Sequence, residues 1–171
     1  MRFHDTKTFD NQVIDWEAVY QEQLPHVYNF FRYRIDNFSL AEDLTAVTFE
    51  KAWRARNQYR HDLSSFTTWL FTIARNVAID YRREPHLYPL SEDVLSHELT
   101  EEIVEKQADL EHLARLLATL PDRDRELIAL KYGANLTNRA IAQATSLSES
   151  NVGTILHRAI QHLRRKWEEM P

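Results

Sequence analysis

The sequence predicts an all-α protein with two small helical domains joined by an acidic linker. Its 171 residues include only two glycines, and apolar residues seldom alternate with polar ones, so the tight hairpins of a β-sheet are not expected. Apolar residues instead recur three and four positions apart, which predicts amphipathic helices. We place the first domain at residues 1–84, the linker at 85–109 and the second domain at 110–171.

Three or four helices are predicted in the first domain. The first runs from about Val13 to Ile35 and is bent or split at Pro25. Ser39 is expected to cap the second, with Glu42 and Asp43 in its first turn, where the helix dipole favours acidic groups. This second helix is expected to bury an apolar face made of Leu40, Leu44, Val47, Phe49 and Trp53.

The stretch SFTTWLFTIARNVAIDYRR, residues 65–83, predicts the last helix of this domain, with two distinct faces. The face expected to enter the core contains Phe66, Trp69, Leu70, Ile73, Val77 and Tyr81. The face expected to meet an anionic partner contains Arg75, Asn76, Ile79, Arg82 and Arg83. A polar face opposite a core face is usually only solvated. Here, however, arginines lie near aromatic rings that resemble a platform for unpaired bases, namely Tyr59, Phe66 and Trp69.

The second domain is predicted to contain four helices. One carries Leu110, Leu113, Leu117 and Leu120 and stops at Pro121, and the next is capped by Asp122 and ended by Gly133. Thr137 is expected to cap a short helix containing Ile141 and Ala144. After a tight turn at residues 145–147, Ser148 is expected to cap a long helix. This spacing is typical of a helix-turn-helix.

The long helix of this motif has a polar face suited to DNA. Its predicted buried face is Val152, Leu156, Ala159 and Leu163, and the opposite face is Asn151, Thr154, Arg158, Gln161 and Arg165. Asparagine and arginine can pair with base edges in the major groove, while later cations meet phosphates. The alternative is that the basic last turn, with Arg164, Arg165 and Lys166, only complements the helix dipole.

The formal net charge of −5 is concentrated in the linker, which carries seven acidic residues against one basic residue. Both predicted domains are close to neutral, so basic residues can still cluster locally on their surfaces. Two interpretations of the linker stay open. It is a solvated spacer, or it mimics nucleic acid by shielding basic surfaces of its neighbours or entering a basic channel in a partner.

No motif supports catalysis. The eight histidines are scattered, the chain has no HExxH or GxSxG motif, and two glycines cannot form a phosphate-binding loop. We therefore expect no enzyme activity, no cofactor and no metal site. Cysteine is absent, which excludes disulfides and thiolate zinc sites. Because neither a signal peptide nor eighteen consecutive apolar residues occur, we expect no membrane span.

Two pairs of segments resemble conserved regions of the extracytoplasmic-function sigma factors of bacterial RNA polymerase. AEDLTAVTFEKAWRARNQYR with SFTTWLFTIARNVAIDYRR resembles region 2, and LPDRDRELIALKYG with LTNRAIAQATSLSESNVGTILHRAIQHLR resembles region 4. The resemblance covers residues from about 24 to 84 and 110 to 167. It implies a cytoplasmic bacterial sigma factor that binds core RNA polymerase, recognises the minus-ten and minus-thirty-five promoter elements and opens DNA. It also implies that an anti-sigma factor is a possible partner.

The resemblance further implies a role for individual residues. The helix from Ala41 to Arg56 would dock on the clamp helices of polymerase through Asp43, Ala46, Val47, Glu50 and Trp53. Minus-ten DNA would be held by Arg60, His61, Ser64, Ser65, Phe66, Arg75, Asn76, Ile79, Arg82 and Arg83. Minus-thirty-five DNA would be read by Arg139, Ser148, Ser150, Asn151, Thr154, His157, Arg158 and Arg165. The linker would thread towards the RNA exit channel.

Four positions depart from the family pattern. Ala46 and Val47 stand where the family usually has glutamine and glutamate, and Gly153 and Ile155 stand where basic residues are frequent. Two alternatives therefore stay open. The chain could be a sigma-like protein that binds polymerase or a regulator without reading promoters, or a simple repressor that uses only the helix-turn-helix.

Overall fold

The computed structural model describes residues 14–84 and 101–170, and the side chains of residues 101–108 lie outside the described set. The described residues form seven α-helices and no strand, which confirms the all-α class. The helices are α1 (Trp16–Arg34), α2 (Phe38–Arg54), α3 (Phe66–Arg83), α4 (Glu101–Ala118), α5 (Asp122–Ile128), α6 (Asn138–Thr145) and α7 (Glu149–Glu169). A 3-10 turn, Arg56–Gln58, follows α2, and a π-helical turn, Ala129–Gly133, follows α5.

In the first half of the chain, α1 excludes one of two predicted alternatives, a split at Pro25, and the cap of α2 corrects one prediction. Pro25 lies inside α1, which continues through it as one helix and is capped by Asp15. Asn37, not Ser39, caps α2, because its Oδ1 accepts a hydrogen bond from the Leu40 N–H at 2.9 Å. Ser39 is already the second residue of the helix. Glu42 and Asp43 therefore fall beyond the first turn, where the favourable effect of the helix dipole fades.

Two of the three caps predicted in the second half of the chain are confirmed. The Thr137 hydroxyl accepts from the Ala140 N–H at 3.1 Å, and the Ser148 hydroxyl accepts from the Asn151 N–H at the same distance. Ser146, between α6 and α7, takes the left-handed conformation with φ of 59°. The prediction for Asp122 is wrong, because Pro121 precedes α5 and Asp122 is its first residue, with its carboxylate engaged elsewhere.

A single hydrophobic core extends through both halves of the described chain. Helix α1 packs against α2 and also against α5 and the π-helical turn, while α3 packs against α2 and α6. The core includes residues from both predicted domains, such as Phe30, Phe71, Leu127, Leu130 and Ile141. The domain limits themselves stay predictions. Residues 85–100 of the predicted linker lie outside the described residues, and α4 begins at Glu101, within the predicted linker.

The buried face of α3 is rotated relative to the predicted one. Helices α1, α2 and α6 all contact α3, and its buried residues are Thr68, Leu70, Phe71, Ala74, Val77 and Ala78. The larger side chains predicted for the core are only half-buried at its edge, and these are Phe66, Trp69, Ile73 and Tyr81. The neighbouring helices contact α3 on the side of Leu70, Phe71, Ala74 and Val77, so the other predicted core residues lie at the edge of this face. In the same way, Trp53 of α2 is 49% exposed, contrary to prediction.

Candidate nucleic-acid and polymerase-binding surfaces

Four aromatic rings cluster where α1, the 3-10 turn and the start of α3 meet. The Phe66 ring centroid lies 5.6 Å from that of Trp16, 5.5 Å from Tyr59 and 5.4 Å from Trp69. The Tyr59 hydroxyl donates to the Ser64 carbonyl at 3.2 Å, and burial raises the pKa of the phenol, so it stays a neutral donor. The rings are half-buried and keep an edge on the surface. Partly exposed rings of this kind can stack with unpaired bases where a ring face is accessible.

The loop before α3 carries the predicted cation Arg60, and its guanidinium is paired. Nε and Nη2 of Arg60 donate to Asp62 at 3.1 and 2.5 Å. This hydrogen bonding raises the pKa of Arg60 and lowers the pKa of Asp62. Both side chains are largely exposed, so the pair contributes little and can open for a phosphate. His61 is exposed, and Ser65 caps α3 by accepting from the Thr68 N–H at 3.2 Å.

The cationic face of α3 is only partly open, contrary to prediction. Arg75 is 17% exposed and makes a bidentate pair with Glu126, with Nε and Nη2 at 3.0 and 3.2 Å from its oxygens. Its Nη1 also donates to the Ala144 carbonyl at the end of α6. Arg82 pairs with Asp122, although 57% of its side chain stays exposed. The remaining members of the face are the exposed Asn76 and Arg83 and the half-buried Ile79.

Arg34, Asp122 and Glu126 were not singled out as functional residues from the sequence, yet the structure brings them together with Arg75 and Arg82. Arg34 is 7% exposed and lies 3.2 Å from Glu126 and 3.4 Å from Asp122. Burial lowers the pKa of Arg34, while Glu126 and Asp122 act to raise it. One signal was available, because Asp122 and Glu126 are four residues apart and so share a face of one helix. The residues near Asp122 and Glu126 in the sequence did not indicate which arginines these two carboxylates would contact.

The predicted polymerase-binding residues of α2 have different environments. Ala46 is exposed, Val47 is half-buried against the core, and Asp43 is half-buried. Glu50 pairs with Arg54 at 2.6 Å, and Trp53 packs edge-on against Trp16. A groove of about 450 Å³ runs between α1 and α2 beside Ala46, and it is lined by Tyr20, Leu24, Pro25, Tyr28, Glu42, Thr45 and Ala46.

The helix-turn-helix presents the predicted polar face of α7 to solvent. Its exposed residues are Ser150, Asn151, Thr154, His157, Arg158 and Arg165, and Arg139 is exposed on α6. Ser148 is used as the cap. Ile155 is only 3% exposed and belongs to the core, so this position does not face DNA. Its departure from the family pattern therefore removes no contact. A Cβ on Gly153 would meet only the Asn138 amide nitrogen, at 3.7 Å.

Within the described residues, none of the helices combines the length and apolar character needed to cross a membrane. In the same part of the chain, histidine and acidic side chains do not gather in a group of three or more that could hold a metal ion. The surfaces described above are thus built from cations, rings and amides. Such groups recognise nucleic acid and protein by contact.

Two family models match the chain. The model for Sigma-70 region 2 matches residues 19–85, and the model for Sigma-70, region 4 matches residues 110–163. Among known proteins, the chain is 32% identical to the ECF RNA polymerase sigma factor SigM of Bacillus subtilis, over 86% of this chain and 92% of SigM. It is 28% identical to the ECF RNA polymerase sigma factor RpoE of Cereibacter sphaeroides, over 86% of this chain and 83% of RpoE.

Solved structures share the fold. The sigma factor RpoE of Bartonella quintana, in complex with the anti-sigma factor NepR, superposes with a TM-score of 0.70 at 21% identity, over 90% of this chain and 97% of that one. CnrH, in complex with the cytosolic domain of CnrY, superposes with a TM-score of 0.65 at 22% identity, over 90% and 86% of the two chains. The chain therefore shares its fold with these two structures.

Proposed function

The chain belongs to the sigma-70 family, as an extracytoplasmic-function sigma factor of bacterial RNA polymerase. We propose that three of its surfaces each bind a different target. It is an alternative sigma factor that directs polymerase to promoters for the initiation of transcription. We assign polymerase docking to α2, minus-ten recognition to α3 with its preceding loop, and minus-thirty-five recognition to α7. The protein acts by binding, without catalysis of its own, in the bacterial cytoplasm.

Polymerase docking is assigned to α2 and the groove beside it. Ala46 lines this apolar groove, and Trp53, two turns further along the same face of α2, is 49% exposed. The proposed contact residues are therefore more apolar than the family pattern, with Asp43 and Glu50 supplying charge. Val47 contributes by holding α2 against the core. Exposed apolar side chains of this kind are typical of a protein-binding surface.

Minus-ten recognition is assigned to the aromatic cluster and the arginines of α3. Separation of the DNA strands costs about 1.4 kcal/mol per base-pair step, and capture of unpaired bases offsets that cost. Phe66 and Trp69 supply ring surface at the start of the helix, and Ser64 and Ser65 hold the loop. Arg75, Asn76, Arg82 and Arg83, with Arg60 and His61, supply donors for bases and phosphates, and Ile79 supports them.

Minus-thirty-five recognition is assigned to α7, and the open polar face of this helix is the observation that carries it. Asn151, Thr154 and Arg158 are all exposed on one face, on a helix held in place by a confirmed cap and a buried opposite face. Their side chains can read base edges in the major groove. Ser150, His157, Arg139 and Arg165 lie around them for phosphate contacts.

An anti-sigma factor is a further proposed partner. Two of the solved structures with the same fold are complexes, one of the sigma factor RpoE with the anti-sigma factor NepR and one of CnrH with the cytosolic domain of CnrY. The groove between α1 and α2 and the exposed ring of Trp167 on α7 offer apolar surface for such a partner. Co-expression with candidate genes followed by size-exclusion chromatography tests this assignment.

Run-off transcription with core polymerase and a promoter library tests the proposal as a whole. The expected result is transcription from a subset of promoters that share two elements. Two alternatives predict other outcomes. A sigma-like interaction protein would copurify with polymerase yet support no transcription, and a simple repressor would bind duplex DNA without copurifying with polymerase.

A further inference from the structure

A small cavity of about 130 Å³ lies between α1, the start of α2 and α4. Its α4 wall is apolar and contains Leu113, Ala114 and Leu117, of which the last two are buried. Phe38 and Leu110 also line the cavity, and they are 38% and 42% exposed. The cavity therefore has an apolar interior and reaches the surface beside these two side chains.

The α1 wall of the cavity carries aromatic rings and polar groups. Tyr28 and Tyr33 both line it, and burial raises the pKa of each phenol, so both hydroxyls stay protonated and can donate. Asn29 is exposed and adds an amide that can donate or accept a hydrogen bond. Among the described residues that line the cavity, Arg32 is the only one that carries a charge. This lining therefore favours an anion.

Arg32 is held in place by its face, which leaves part of its edge available. Its Cζ lies 3.5 Å from the centroid of the Phe38 ring, so the guanidinium is stacked on that ring. One in-plane N–H group donates to the Ile35 carbonyl at 3.4 Å. None of the ion pairs among the described residues involves Arg32. The other in-plane donors can therefore bind a carboxylate, whose two oxygens match the planar fork.

The size and lining of the cavity restrict the ligand further. An apolar cavity of about 150 Å³ holds one benzene molecule, so a volume of about 130 Å³ suits one six-membered ring. Aromatic walls favour a flat ligand, because rings pack well edge-to-face or offset. A phosphate would face the apolar α4 wall without hydrogen bonds, and a whole nucleotide is far larger than the cavity.

We propose that this cavity is a binding site for a small aromatic carboxylate, with the ring against the apolar α4 wall and the carboxylate on the free edge of Arg32. None of the residues proposed to contact polymerase or DNA lines the cavity, including the reading face of α7, namely Asn151, Thr154 and Arg158. The inference therefore goes beyond the proposed function and does not depend on it. Through this site the protein binds an aromatic acid directly.

Two variants remove different parts of the site. Arg32→Met removes the charge and keeps a long side chain, whereas Ala114→Leu fills the cavity from the opposite wall with apolar atoms. Arg115→Met, at an exposed position of α4 outside the lining residues, is the matched control for loss of one positive charge. Circular dichroism confirms that each full-length variant keeps its helices.

Isothermal titration calorimetry with benzoate measures binding to the full-length chain. The expected result is saturable binding of one benzoate per chain by the parent and by Arg115→Met. Affinity should fall at least tenfold in Arg32→Met, and binding should be lost in Ala114→Leu. Two further ligands separate charge from shape, and both should bind the parent more weakly than benzoate. Benzyl alcohol keeps the ring without the charge, and cyclohexanecarboxylate keeps the charge without the flat ring.

Absence of saturable binding by the parent, or equal binding by the parent and both site variants, would overturn the site. Benzyl alcohol or cyclohexanecarboxylate bound as tightly as benzoate would overturn its assignment to an aromatic acid. Promoter-directed transcription is a separate measurement. Its failure would count against the proposed function and would leave the result of the benzoate titration unchanged.

Discussion

The two glycines differ in how much space surrounds the position where a side chain would begin. Gly133 lies against the main chain of α1 with no room for a Cβ, whereas Gly153 lies on the partly exposed side of α7 with ordinary space around its missing side chain. From sequence alone, Gly153 and Ile155 both looked like losses in the recognition helix. Burial of Ile155 shows that only Gly153 lies on the accessible side.

Replacement of Gly153 by alanine is expected to stabilise the protein. Glycine in a helix interior costs about 1 kcal/mol relative to alanine, and a Cβ here meets only one side-chain atom at 3.7 Å. The free energy of unfolding, measured by urea titration, should rise by about that amount. Gly133→Ala is the matched control and should lower it. A loss of stability in Gly153→Ala would show that the site has no spare room.

Replacement of Arg158 by alanine is expected to weaken upstream recognition alone. Arg158 is exposed on the reading face of α7, and one specific arginine-to-guanine contact is worth roughly 1–3 kcal/mol. Binding to duplex DNA with a minus-thirty-five element should therefore fall by roughly five- to 150-fold, as measured by fluorescence anisotropy. Arg115→Ala, on the exposed side of α4, is the control. Equal affinity of the Arg158 variant and the parent would remove Arg158 from the reading face.

At the scale of the element, local chemistry explained the second half of the chain better than the first. Thr137 and Ser148 were both predicted correctly as caps, although other capping residues lie nearby, and only Asp122 was predicted wrongly. Before α2, two residues with good capping chemistry stand two positions apart, and the spacing of apolar residues could not separate Asn37 from Ser39. The spacing of apolar residues within α3 also could not predict which face is buried. That face depends partly on contact with α6, which lies far along the chain.

The two capping candidates of α2 give a matched pair of variants. Asn37→Ala removes the acceptor of the Leu40 N–H and should lower the free energy of unfolding by about 1 kcal/mol. Ser39→Ala lies inside the helix, where alanine is favoured, and should leave stability unchanged or slightly higher. Thermal unfolding monitored by circular dichroism measures both. The reverse order of the two melting temperatures would reinstate Ser39 as the cap.

At the scale of the whole molecule, the sequence predicted the components and missed their arrangement. Helix count, helix-turn-helix and both conserved regions followed from periodicity, capping residues and the resemblance. The ion pairs between Arg34, Arg75, Arg82, Asp122 and Glu126 did not, since Arg75 and Glu126 are 51 positions apart and Arg34 and Asp122 are 88 apart. A charge on an amphipathic helix indicates a surface, but it does not indicate whether that surface meets solvent, a partner or another part of the same chain.

We propose that Arg75 and Asn76 of α3 take part in promoter opening. The direct test is 2-aminopurine fluorescence at the minus-ten element, with polymerase holoenzyme that contains either the parent chain or the Arg75→Ala, Asn76→Ala double variant. Polymerase binding is measured in parallel. Opening is expected to fall by at least tenfold while polymerase binding is unchanged, because Arg75 contacts Glu126 and Ala144 rather than the docking helix α2, and Asn76 is exposed. Undiminished opening, or an equal loss of opening and polymerase binding, would contradict it.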